Sequence, residues 1–233
     1  MSSAASAIDG HDHPHNPHLA HHFESMEQQH NSAKLGMWIF LVTEILLFSG
    51  LFLAYGAYRA FHPEVFNHAS RLLSLPLGGF NTIVLIGSSL TMALAVREAQ
   101  LGRGRLQALF LLSTLALAGV FLVVKYFEYS HKFHVGLLPG RWFAPHGHEA
   151  HVAQWQNVRI FFGIYFLMTG LHGIHVLMGM AAIGWLWLRA RRGEFSAAYY
   201  TPVEVVGLYW HLVDIIWIFL FPMLYLIDRS PMH

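Results

Sequence analysis

The segment GLYWHLVDIIWIFLF, residues 207–221, is almost wholly apolar, yet it carries His211 and Asp214 three positions apart. TGLHGIHVLMG repeats the spacing with His172 and His175, and VVKYFEYSHKF does so with Lys125 and Glu128. A lone carboxylate, Glu44, sits in WIFLVTEILLFSGLF. On a helix, residues three or four apart are neighbours, so each pair shares a face. These residue types admit three chemistries. Imidazoles can ligate haem or copper, with His172 or His175 facing His211 across two helices as a bis-His site. Glu44 and Asp214 could pass protons, and Asp214 could orient the imidazole of His211 or of a histidine on a neighbouring helix. Buried polar pairs could also hold helices in register or seat lipid headgroups; interhelical polar contacts in membranes contribute about 0.6–2 kcal/mol each. Spacing alone leaves all three open.

The elements that must position these groups follow from composition. Charged residues make up 12% of the 233 residues, half the roughly 25% of soluble domains, and hydrophobic residues make up 55%. That balance, with a mean hydropathy of +0.43, predicts an integral membrane protein. A net charge of +1 gives no basis for a nucleic-acid partner, and the lack of cysteine excludes disulfides and thiolate metal sites. Five apolar stretches, near 35–60, 79–99, 106–130, 158–188 and 203–227, are each long enough to cross about 30 Å of hydrocarbon. Open strands leave backbone groups unpaired in lipid. The expected fold is therefore all-α: five transmembrane helices in one helical bundle. At that depth an ionisable group costs about 2.5–3.5 kcal/mol or more, so each must face protein, water or a headgroup.

Residues 1–33 read as a polar, disordered tail with His11, His13, His15, His18, His21, His22 and His30; such a tract binds metal weakly at best. A membrane domain is expected over 34–228 and a short C-terminal tail over 229–233. Arg97, Arg103 and Arg105 crowd one short loop, and Arg189, Arg191 and Arg192 another. The positive-inside rule then puts the N-terminus and both loops in the cytoplasm, and residues 61–78, 131–157 and the C-terminus outside. Gly170, Gly173 and Gly179 are candidates for close helix packing. In HGHEAH, His146, His148 and His151 are weak metal candidates, the plainer reading being a surface loop. No catalytic motif of soluble enzymes is found.

Several segments, in order, resemble subunit III of haem–copper terminal oxidases, the cytochrome c and quinol oxidase group. YWHLVDIIWIFLFPMLYLI resembles the last helix of that family, and GIYFLMTGLHGIHVLMGM the helix before it. LGMWIFLVTEILLFSGLFLAY resembles the helix bearing the family's buried glutamate, here Glu44. PLGGFNTIVLIGSSLTM and RLQALFLLSTLALAGVFLVVKYFEY match the helices between, so the likeness runs over about 34–228.

The resemblance implies an accessory subunit without a redox centre. Haems and copper would lie in partner subunits, and bound phospholipid is expected. The main partner would be subunit I, with subunit II and a small subunit IV as further partners. The complex would reduce O2 to water and pump protons across a bacterial cytoplasmic (inner) membrane. Glu44 would sit near the proton-uptake and lipid region; Lys125, Glu128, His172, His175, His211 and Asp214 become polar-network or lipid-site positions, none catalytic. Many family members have seven helices, and the two unmatched here form one wall of a lipid-filled cleft. The five-helix form leaves the donor open: cytochrome c first, quinol second, and a nitric oxide reductase accessory third. A stand-alone haem cytochrome and an ion transporter are the competing classes.

Overall fold

The computed structural model describes residues 19–138, 142–146 and 157–227. They form α1 (Met26–Phe61), α2 (Pro63–Ser70), α3 (Leu75–Gln100), α4 (Gly104–His134), α5 (Val158–Arg191) and α6 (Thr201–Tyr225). All but α2 are long and apolar enough to cross a membrane. Among the described residues there is no strand, only the isolated bridges Leu137–Phe143 and Ser196–Tyr199. This is a multi-pass, all-helical membrane protein.

Local chemistry sets the helix ends. The Ser25 hydroxyl accepts from the Gln28 amide at 3.1 Å, capping α1, and Glu27 complements the first turn. Proline stands in the first turn of α2, α3 and α6, where its missing N–H costs nothing. Gly136, just past α4, has φ of 79°, and a Cβ there would overlap the Ala144 carbonyl oxygen, so only glycine fits.

Several boundaries differ from the sequence expectation. Helix α1 begins at Met26, inside the polar segment expected to be a tail. Tertiary contacts hold that polar turn: His30 Nδ1 meets Thr201 Oγ1 at 2.9 Å, and Lys34 Nζ meets Glu204 at 2.7 Å. Hydropathy marks the edge of the lipid, whereas hydrogen bonding marks the end of the helix. His11, His13, His15 and His18 lie outside the described residues. The connection over 61–78 contains the short helix α2, which buries Phe66, Ala69 and Ser70. Helix α4 also runs on to His134, which brings Lys132 onto the same rod as Lys125 and Glu128.

Helices α3 and α4 form a hairpin; α6 packs on α3, and α5 packs on both α4 and α6. Helix α1 lies outside this four-helix core, chiefly against α6. Its buried residues are Leu41, Phe48 and Tyr55, one every seventh position, a single narrow seam. Much of the rest of α1, including Leu46, Leu53 and Phe61, is exposed, which lipid tolerates as water does not. The start of α1, the α3–α4 turn and the α5–α6 connection share one end: His30 touches Thr201, and Gly102 lies beside Ala197. At the other end, His62 and Asn157 approach to 3.4 Å.

Candidate functional site: buried polar clusters

Three groups of polar side chains are built into the bundle. The first joins α1 to α5. Glu44 Oε2 lies 2.8 Å from His175 Nε2, while His175 Nδ1 lies 2.8 Å from the Leu171 carbonyl oxygen. A carbonyl can only accept, so Nδ1 carries a proton. The short contact at Nε2 then needs one further proton between ring and carboxyl. The pair is either a neutral imidazole with a carboxylic acid or an imidazolium with a carboxylate. Phe48 packs edge-on against the ring, with centroids 5.3 Å apart. Tyr209 donates its hydroxyl to the His175 carbonyl at 3.1 Å, tying α6 to the same turn.

The second group centres on Glu128, which is 4% exposed. Lys125 Nζ donates to Oε2 at 2.8 Å, and Lys132 Nζ lies 3.3 Å from Oε1. Tyr225 and Tyr165 donate their hydroxyls to Oε1 at 2.6 and 3.1 Å. Lys125 also donates to the Tyr225 oxygen at 2.7 Å, with its ammonium 4.5 Å from the centre of the Trp217 ring. This carboxylate thus joins α4, α5 and α6, and two cations with an aromatic wall replace the water it would otherwise need. Beside it, the Tyr129 and Thr169 hydroxyls meet at 2.5 Å.

The third group lies where α3 meets α6. Ser89 Oγ is 2.7 Å from His211 Nδ1; Trp210 Nε1 donates to Ser88 Oγ at 3.2 Å, and Trp217 Nε1 to Thr82 Oγ1 at 3.1 Å. Asp214 is 2% exposed. Ser89 is near enough to interact with it, yet neither carboxyl oxygen has a partner at hydrogen-bond geometry among the described residues.

The equal spacings of the three sequence pairs therefore resolve differently. Lys125 and Glu128 meet directly because lysine is long enough to reach. His172 and His175 diverge: a step of three residues leaves about 60° between side chains on a helix. His175 turns to α1, whereas His172 is enclosed between Phe121 and Trp217, with ring centroids at 5.7 and 5.4 Å. Both His172 nitrogens are buried without a hydrogen bond among the described residues. His211 bonds Ser89 on α3 rather than Asp214. The three histidines thus have three different sets of neighbours, and His175 has both nitrogens engaged. Among the described residues no three His, Asp or Glu side chains converge on a point that could hold a metal ion. His146 Nδ1 lies 3.1 Å from the Ala144 carbonyl, while His148 and His151 lie outside the described residues.

The three glycines also separate. A Cβ on Gly179 would come within 2.7 Å of the Trp210 ring. Gly173 has open space around it, and Gly170 has only the Tyr129 hydroxyl at 3.9 Å. Both of these line a groove of about 390 Å³ between α4 and α5, into which Lys125 and Thr169 also open. A larger, almost wholly apolar groove of about 570 Å³ runs between α1 and α6.

Sequence reading missed Tyr165, Tyr225, Lys132 and Ser89. Lys132 had a local signal, four residues after Glu128. The tyrosines had none, because they reach Glu128 from positions 37 and 97 residues away.

The geometry describes a multi-pass helical membrane protein whose buried polar residues mostly bind one another across helices. Sequence comparison agrees. Residues 146–228 match the family model of cytochrome c oxidase subunit III. The chain is 32% identical to cytochrome c oxidase subunit 3 of Thermostichus vulcanus, over 84% of this chain and 87% of that protein. It is 34% identical to the protein of the same name from Synechocystis sp., over 82% and 74%. A probable quinol oxidase subunit 3 from Staphylococcus saprophyticus is 26% identical over 90% and 96%. The chain belongs to the cytochrome c oxidase subunit III family. It is thus an accessory subunit of a haem–copper oxidase of respiration, and it associates with other oxidase subunits.

Proposed function

We propose that the chain docks on subunit I of a bacterial terminal oxidase, beside subunit II and a small subunit IV, seats phospholipid, and sustains proton uptake during O2 reduction. The observation that carries this reading is the Glu44–His175 pair: a carboxyl–imidazole contact at 2.8 Å, between the outlying α1 and α5, in a chain of this family. A carboxyl held by an imidazole at membrane depth suits a position near a proton-uptake surface. The apolar groove between α1 and α6 suits an acyl chain. The haems and copper belong, on this reading, to the partner subunits; the engagement of His175 with Glu44 and Leu171, and of His211 with Ser89, supports it. The Arg-rich end, with Arg97, Arg103, Arg189 and Arg192, faces the cytoplasm.

The test is purification from native membranes through a tag on this chain, followed by a reduced-minus-oxidised spectrum and a turnover time course. Haem-bearing and copper-binding subunits should co-purify. Glu44→Ala should leave the spectrum intact but shorten the period of sustained turnover. Wild-type turnover and inactivation rates in the assembled variant would remove Glu44 from the mechanism. A chain recovered alone would refute the docking account. Similarity to a probable quinol oxidase subunit over 96% of its length favours quinol as the alternative donor, and comparing oxidation of reduced cytochrome c with that of a quinol separates the two.

A further inference from the structure

Buried residues recur at alternating steps of three and four along α3, α4, α5 and α6, the spacing of a four-helix core whose side chains meet in layers. One of those layers is polar, and Trp217 of α6 marks it. Its indole donates to Thr82, the neighbour of Asn81 on α3. The Lys125 ammonium of α4 lies 4.5 Å from its ring centre, and the His172 ring of α5 lies 5.4 Å away. The α3–α4 register agrees. Thr91 Oγ1 meets Thr114 Oγ1 at 2.8 Å, and equal steps back along α3 and forward along antiparallel α4 put Asn81 level with Val124, next to Lys125. Helices α3 and α5 lie across the core from each other, each packed on α4 and α6. Asn81 and His172 therefore approach the centre of this layer from opposite sides.

Both side chains are fully buried, and neither lines the α1/α6 or the α4/α5 groove. Among the described residues, Asn81 Nδ2 and Oδ1 and His172 Nδ1 and Nε2 all lack a hydrogen bond. Buried polar atoms in native structures are almost always bonded, to protein or to ordered water, and lipid offers them nothing. The donor and acceptor types then select the ligand. An amide offers donors and an acceptor oxygen, and a neutral imidazole offers one donor and one acceptor. A cation answers only the acceptors and would stand against the Lys125 ammonium. An anion answers only the donors and would stand near the Glu128 carboxylate, 2.8 Å from that ammonium. Water both gives and takes, and it is small enough for a site closed off from the grooves. Lys125, which donates to Glu128 and Tyr225, has a third N–H to offer it.

We propose that Asn81 and His172 bind an internal water molecule at the centre of the four-helix core, and that this water extends the polar group around Glu128 to α3. The bonds described for Glu128 join α4, α5 and α6. With the water, hydrogen bonding sets the depth of all four core helices against one another. The inference stands apart from docking on other subunits, since every residue it uses lies inside this chain.

The first test is a density map of the tagged chain, purified with whatever subunits accompany it, at a resolution that shows ordered water. The expected result is an isolated peak within about 2.7–3.2 Å of both the Asn81 amide and the His172 ring. A map that shows water elsewhere inside this chain but none here overturns the proposal. So does a peak that strengthens when chloride in the buffer is replaced by bromide, because it is then an anion. The second test is thermal unfolding of Asn81→Ser and Asn81→Ala, which differ by one oxygen. Serine keeps a group that can bond the water, so its variant should melt about 1–4 °C above the alanine variant, the shift for one hydrogen bond in a chain of this length. Without a water the order reverses, since alanine is the better helix former and leaves no polar atom buried. Equal melting, or alanine above serine, overturns the proposal. If both variants fold too poorly to compare, the map of the unaltered chain decides.

Discussion

Glu128→Ala is the perturbation that probes the bundle most sharply. The substitution removes one carboxylate and four contacts: Lys125 at 2.8 Å, Lys132 at 3.3 Å, Tyr225 at 2.6 Å and Tyr165 at 3.1 Å. Both ammonium groups are side chains with little exposure, 11% for Lys125 and 4% for Lys132. Water therefore cannot replace the lost charge. Breaking a buried ion pair from one side costs about 3–5 kcal/mol, whereas an exposed pair would cost about 0–1. At about 2–4 °C per kcal/mol for a chain of this length, Tm should fall by roughly 6–20 °C. The assay is thermal unfolding in mild detergent, followed by near-ultraviolet circular dichroism, with Trp217 over the Lys125 ammonium as a local reporter. Lys125→Met alone leaves Glu128 with Lys132 and two tyrosines, so it should cost less, about 1–3 kcal/mol. Lys125→Met/Glu128→Gln removes the central pair from both sides and should lie at least 1 kcal/mol above the sum of its single variants. A Glu128→Ala variant melting within about 2 °C of wild type, or strict additivity in the cycle, would refute the view that this carboxylate is the buried hub.

Two further outcomes follow from the same structure. Gly179→Ala should destabilise by about 1–3 kcal/mol, because its Cβ would meet the Trp210 ring at 2.7 Å and that indole is held by Ser88; Gly173→Ala, in open space, should be neutral or slightly stabilising; paired melting curves decide. Single cysteines at Ser196 and His134, at opposite ends of the bundle, should react with an impermeant thiol reagent from opposite sides of oriented vesicles, Ser196 from the cytoplasmic side; labelling from one side would refute the topology.

How much was legible in the sequence varies from residue to residue. Membrane character and five spans depend on runs of apolar side chains, and each run is a local property; α5 and α6 appear close to where hydropathy alone puts them. The family likeness is also local, carried by motifs in order along the chain. The Lys125–Glu128 bridge could be anticipated, because both residues stand on one helix at a spacing their side chains can span. Partners on different helices could not. Whether Glu44 meets His175, His172 or His211 depends on the rotation and depth of α1 against α5 and α6, set by the Leu41, Phe48 and Tyr55 seam and by the packing of Trp210 on Gly179. The start of α1 at Met26 was decided by contacts with Thr201 and Glu204, some 170 residues away. The sequence by itself determined which groups are buried at membrane depth and must find partners, since that follows from the cost of a polar group in lipid. Only the tertiary structure decided which partner each one finds, because helices packed side by side bring together residues whose separation along the chain carries no information about contact.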